Sequence, residues 1–229
     1  MRNFATLAVG LLMSFAAWSS VNDGIVAYNS GDYARALKEF SAAAKSGEPA
    51  GKHLLASLYY QGHGVPRDLG KAIELFSEAA EANYPPSLAN LALMYSIGDG
   101  VPKDMKKALD YGLRAAESGD LQSQFNLAQS YRKGAGVPQD YSKAAHWYRK
   151  AAEAGSLPAQ NEYGLLYAQG HGVPLDYVQA YAWIDMPASA GDQHAVKNRA
   201  QLLQILSLEQ RATARKLAAE YASRYRKGS

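Results

Sequence analysis

The chain has 229 residues, 48% of them apolar and 20% charged, with 24 Lys plus Arg against 21 Asp plus Glu, which excludes a disordered polyelectrolyte and leaves enough apolar surface for a large core. It holds no cysteine, so disulfide staples, thiolate zinc sites and thiol redox chemistry are excluded. A formal charge of +3 is too small to imply a polyanionic partner, and no nucleic-acid partner is expected.

The first element in chain order is a leader. Met1-Arg2-Asn3 is a short basic start, and the fifteen residues from Phe4 to Trp18 carry no charge. A bilayer span needs about 18 or more apolar residues. This shorter run ends in Ser14-Phe15-Ala16 and Ala17-Trp18-Ser19, so residues 1–19 are expected to be a cleavable secretory signal. Retention of the same segment as an anchor, or its use as an uncharged buried helix, are the alternatives. Once the signal is removed, no membrane span is expected.

Beyond it the chain repeats. Gly62-His63-Gly64-Val65-Pro66, Gly98-Asp99-Gly100-Val101-Pro102, Gly134-Ala135-Gly136-Val137-Pro138 and Gly170-His171-Gly172-Val173-Pro174 begin 36 residues apart. Each is preceded by a tyrosine (Tyr59, Tyr95, Tyr131, Tyr167) and followed by an aspartate (Asp68, Asp104, Asp140, Asp176) and an alanine (Ala72, Ala108, Ala144, Ala180). Such a period, built from two helical stretches, predicts a helix-pair solenoid. In the helix before each loop, here called A, Leu55, Leu91, Leu127 and Tyr163 form an i, i+4 stripe with the tyrosine. Ala56, Ala92, Ala128 and Gly164 are small because the partner helix passes close. The first glycine of each loop is expected to end helix A at positive φ, and the aspartate to cap helix B. Helix B carries a core pattern such as Ala72, Leu75, Phe76 and Ala79. It is expected to end near Gly47, Asn83, Gly119, Gly155 and Gly191, with prolines at 49, 85, 86 and 158 opening the next A helix.

These residues resemble the SEL-one-like repeat, a subfamily of tetratricopeptide repeats, over four units at 49–84, 85–120, 121–156 and 157–191. Residues 21–48, with Gly31-Asp32-Tyr33, Ala36 and Phe40, resemble an ordinary tetratricopeptide unit with helices near 21–30 and 33–46. Residues 192–229 resemble capping helices, near 193–206 and 208–226. The resemblance implies an all-α, right-handed α-solenoid of helix-turn-helix repeats with about twelve helices and C-terminal capping helices. Without the resemblance, Ser207-Leu208-Glu209-Gln210 still has capping-box spacing, and Ala214, Leu217, Ala218, Tyr221 and Tyr225 form one stripe. Eight basic residues against three acids in 192–229 read as a solvated face or as a contact for an acidic partner or an anionic membrane surface.

Catalysis finds little support. His63 and His171 share a loop position three repeats apart and cannot share a metal. His53, His146 and His194 are scattered, and no H-E-x-x-H, nucleophile elbow or phosphate loop is present. Relatives described as hydrolases of antibiotic-like substrates are cysteine-rich, unlike this chain. The expectation is therefore no enzyme, no cofactor and no metal.

Binding is the stronger reading. Transferring the tetratricopeptide frame puts A helices on the inner surface, with Tyr28, His53, Ser57, Tyr60, Gln61, Leu93, Ile97, Phe125, Gln129, Arg132, Lys133, Asn161, Leu165 and Gln169 facing a groove. This set mixes apolar anchors, amides and one pair of cations, which suits a peptide or protein whose carboxylate pairs with Arg132 or Lys133. A second reading is an envelope polysaccharide stacked on Tyr28 or Tyr60. Two irregularities stand out. Gly112 replaces the bulky Phe76, Tyr148 and Ile184, leaving a hole, a kink or a gap filled by Tyr111 and Met105; Pro187 is expected to bend or end its helix.

Overall fold

The computed structural model describes residues 21–225; the leader expected at 1–19 lies outside them. Among the described residues there are twelve helices and no strand. Helix α1 covers 21–29. It is followed by α2 (Tyr33–Lys45), α3 (Pro49–Gln61), α4 (Leu69–Glu81), α5 (Pro85–Ile97) and α6 (Met105–Glu117). Then come α7 (Leu121–Lys133), α8 (Tyr141–Glu153), α9 (Leu157–Gln169), α10 (Tyr177–Ser189), α11 (Gln193–Ile205) and α12 (Leu208–Tyr225). The chain forms two compact units that divide between Ser118 and Gly119.

The corners follow from residue chemistry. Gly62, Gly98, Gly134 and Gly170 end α3, α5, α7 and α9 in the left-handed conformation, with φ of 77, 82, 70 and 66°. The Asp68, Asp104, Asp140 and Asp176 carboxylates then accept backbone N–H groups in the first turns of α4, α6, α8 and α10. The same aspartates donate their own backbone N–H to the carbonyls of Tyr59, Tyr95, Tyr131 and Tyr167 at 2.9–3.0 Å, closing each loop.

The second glycine of the loops at 62–66 and 170–174 has a reason that spacing did not disclose. A Cβ on Gly64 would lie 2.9 Å from the Tyr33 carbonyl oxygen, and one on Gly172 would collide with the Tyr141 carbonyl. Each of these two loops therefore rests on the first turn of the preceding B helix, where only a bare α-carbon fits.

In the first unit the core is built from Phe40, Leu58, Phe76, Leu88 and Leu91; in the second from Tyr148, Leu166 and Ile184. Gly164 is small for the expected reason: an added Cβ would sit 2.6 Å from Ile184 Cγ1.

Of the two irregular positions, Gly112 has the open space that was one of its readings, and Pro187 does not end its helix. A Cβ on Gly112 would meet only Ala92 Cβ, at 3.8 Å, so the space is real. Met105 does not fill it, being 44% exposed, while Tyr111 lies stacked on Tyr95 with centroids 5.7 Å apart. Pro187 does not end α10, which continues to Ser189 and so stops 36 residues after α8 does. Pro187 is buried among the apolar side chains of a helix held by neighbours on several sides, and that packing outweighs the missing N–H.

At the C-terminus α11 and α12 both pack on α10. Ala214 and Ala218 are buried, and Tyr221 lies against Trp183 with centroids 4.5 Å apart. The capping box forms reciprocally: the Gln210 N–H donates to Ser207 Oγ at 3.2 Å, and the Ser207 N–H donates to Gln210 Oε1 at 3.0 Å.

Candidate functional site

The A-helix positions picked from the repeat frame divide into side chains that link neighbouring A helices and side chains left open. In the first unit the Tyr28 hydroxyl on α1 donates to Gln61 Oε1 at 2.6 Å and lies 3.1 Å from His63 Nδ1. Its ring meets Tyr33 edge-on at 5.4 Å. The Tyr60 hydroxyl donates to Asp99 Oδ2 in the next repeat's loop at 2.6 Å, while Arg67 lies over the Tyr60 ring and 4.0 Å from Asp99. Ser57 turns back to donate to the His53 carbonyl at 3.0 Å.

His53 is half-buried, with its ring engaged by neighbours. It sits between the Phe76 and Tyr84 rings, with Nδ1 2.9 Å from the Oγ of fully buried Ser87. Burial pulls its pKa down to about 4, because desolvation penalises the imidazolium. The frame places position 53 on the A helix, where Phe76 and Tyr84 of its own repeat and Ser87 of the next engage its ring.

What remains open in the first unit is apolar. Leu93 and Ile97, one turn apart on α5, are 57% and 62% exposed. Helix α5 carries no charged residue over its whole length.

The second unit has a different character. Phe125 on α7 is half-buried and meets Tyr148 edge-on at 5.6 Å. Seven residues later Arg132 lies 3.8 Å from Glu162 Oε2 on α9, so its charge already has a counterion, and it is not free for a partner's carboxylate. Lys133 is exposed and lies 3.3 Å from Gln129 Oε1. Asn161 accepts from Asn198 Nδ2 at 3.0 Å, tying α9 to α11. Leu165 packs against the C-terminal core cluster, and Gln169 is exposed.

The polysaccharide reading loses its two rings, since Tyr28 packs against Tyr33 and His63 while Arg67 occupies Tyr60. The histidines also have structural work: His63 stacks on Tyr33 and His171 on Tyr141, each at 4.4 Å. Reading the sequence within single repeats missed the partners Asp99, Ser87, Glu162 and Asn198. The 36-residue frame holds their signal, because each lies 30 to 39 residues beyond its partner, one repeat along.

The Sel1 repeat family matches residues 49–84, 85–120, 121–156 and 157–192. No curated protein matches the chain. A Sel1 repeat protein from Oxalobacter formigenes has a similar structure, with a TM-score of 0.70 at 36% identity, over 74% of this chain and 49% of that one. A protective antigen present in uropathogenic Escherichia coli strains, displaying an SLR fold, is 26% identical over 91% of this chain and 61% of its own, with a TM-score of 0.45. An immunity protein from Pseudomonas aeruginosa is 21% identical over 88% of this chain and 82% of its own, with a TM-score of 0.49. The chain thus spans about half the length of the Oxalobacter protein. Helix pairs with glycine-proline corners, a family match through four consecutive units and a shared helical architecture lead to one conclusion: this chain belongs to the Sel1 repeat family, whose members generally act as protein–protein interaction scaffolds.

Proposed function

We propose that the protein is an exported, non-catalytic adaptor that holds a peptide or protein partner on the A-helix faces of its repeats, in the cell envelope. The observation that carries this reading is the pair Leu93 and Ile97, 57% and 62% exposed on a helix without charge. Elsewhere on the A helices the leucines of the Leu-Ala-Tyr frame, Leu55, Leu91 and Leu127, are buried. Two adjacent apolar side chains at i, i+4 spacing suit the apolar stripe of a partner helix or peptide. The non-catalytic part is supported by the packing and hydrogen-bonding duties of His53, His63 and His171. Export is supported by the basic start and the short uncharged run at 1–19.

Tagged full-length chain, crosslinked in its native envelope and purified, tests the binding face. Leu93→Ser with Ile97→Ser should leave the helical circular dichroism intact and abolish recovery of the crosslinked partner. Undiminished recovery would defeat the assignment of this face. An alkaline phosphatase reporter fused after residue 20 should be active if the leader directs export and inactive otherwise.

A further inference from the structure

Buried polar atoms in folded proteins nearly always have hydrogen-bond partners, so exceptions call for an explanation. Two exceptions lie side by side in the second unit. Tyr148 on α8 is fully buried, and its hydroxyl makes no hydrogen bond of acceptable geometry; the same holds for Arg132 Nε on α7. The Arg132 guanidinium adjoins the Tyr148 hydroxyl. Across from them, Glu162 Oε2 on α9 stands 3.8 Å from Arg132 Nε, too far for a hydrogen bond. Burial pushes the Tyr148 hydroxyl up to about 12, so it remains a proton donor at any ordinary pH, as the guanidinium does.

The spot therefore combines two permanent donors, each without a well-formed hydrogen bond, with one anionic acceptor. The side chains of Arg132 and Glu162 are 34% and 26% exposed, so it lies just beneath the surface, with the Phe125 ring edge-on to Tyr148 as an apolar wall. A carboxylate arriving here would bring a second negative charge beside Glu162, and an ammonium a second positive charge beside Arg132. A carboxamide is neutral; its carbonyl accepts from the donors and its N–H donates to the carboxylate.

We infer that Arg132, Tyr148 and Glu162 form a receptor for a carboxamide, supplied by an Asn or Gln side chain or a backbone amide of the partner, with Arg132 turning outward to admit it. This rests on the reading of the A-helix faces as the binding surface and names the chemistry that the second unit selects.

The test uses isotope-labelled full chain and two small probes, acetamide and acetate, at matched ionic strength. The Arg132 Nε–H resonance is followed by NMR and assigned through Arg132→Lys. Acetamide should shift that resonance in a saturable way, while acetate moves it no more than sodium chloride does. Tyr148→Phe and Glu162→Met, each of which removes its hydrogen-bonding group, should each weaken the acetamide response about five- to tenfold, the loss expected for one hydrogen bond. A response to acetate instead, no response to either probe, or an acetamide response that survives both substitutions would overturn the assignment. Should Tyr148→Phe perturb folding, Glu162→Met, at the more exposed position, decides alone. Recovery of the partner through Leu93 and Ile97 is independent of all these outcomes, so failure here is distinguishable from failure of the adaptor reading.

Discussion

The imidazole of His171 lies on the phenol ring of Tyr141, with centroids 4.4 Å apart and planes 27° from parallel. The first unit repeats the arrangement: His63 lies on Tyr33 at 4.4 Å and 16°. In both places a loop histidine is paired with the tyrosine that opens the preceding B helix. His171→Ala should lower stability by about 1 kcal/mol, in the range of aromatic pair energies, and chemical denaturation checks it. A change indistinguishable from zero would show that the stack is incidental.

Protonation should act through His53. Its pKa in the folded chain is lowered to about 4, against 6.5 for an unburied histidine, so the unfolded chain binds the proton more readily between those values. The stability contributed by neutral His53 is complete above pH 6.5 and is lost as the pH falls through 4, by about 3 kcal/mol in all. His53→Gln, which keeps a hydrogen-bonding group for Ser87, should flatten that slope. Urea denaturation at pH 7, 5.5 and 4 of both proteins measures it.

Two glycines in helix interiors should respond with opposite signs. Gly112→Ala has room, its nearest neighbour being Ala92 Cβ at 3.8 Å, and should stabilise by about 0.5–1 kcal/mol through the removed backbone entropy. Gly164→Ala drives a methyl to 2.6 Å from Ile184 Cγ1 and 2.9 Å from the Ala180 carbonyl oxygen, and should destabilise by about 1–3 kcal/mol. Melting temperatures of the two variants against the parent give the comparison, and matching signs would contradict it.

The aspartate caps should be measurable one at a time. Asp104 Oδ1 accepts from the backbone N–H groups of both Lys106 and Lys107 at 3.0 Å. Asp104→Ala should cost about 1 kcal/mol, and Asp104→Asn much less, because an amide oxygen still caps. Equal losses would point to the charge on the carboxylate instead of its hydrogen bonds.

Much of the fold was legible because its signals are local. A glycine that ends a helix, an aspartate that caps one and a proline in a first turn act through their own backbone, so the expected corners at Gly62, Asp68 and Pro49 stand where the structure has them. Pro187 ran against that logic, since packing around α10 holds the helix together past a residue that would break it alone. The candidate face was legible only as a set of positions. Whether His53 faces a partner or another ring, and whether Arg132 is free, depends on residues about one repeat away, and spacing within a single unit is silent on such neighbours.

The amino-acid order by itself established the 36-residue period, the helix pairs, the capping residues and the absence of thiol chemistry, because each of these needs only nearby residues or simple counting. Tertiary contact decided which A-helix side chains have a neighbour. It joined Tyr28 to Gln61, Tyr60 to Asp99 and Arg132 to Glu162, packed His53 against Phe76 and Tyr84, and left Leu93 and Ile97 open to solvent. The reason is that the partners in these pairs come from successive repeats, and stacking one repeat on the next determines whether a polar group has its bond or still lacks one.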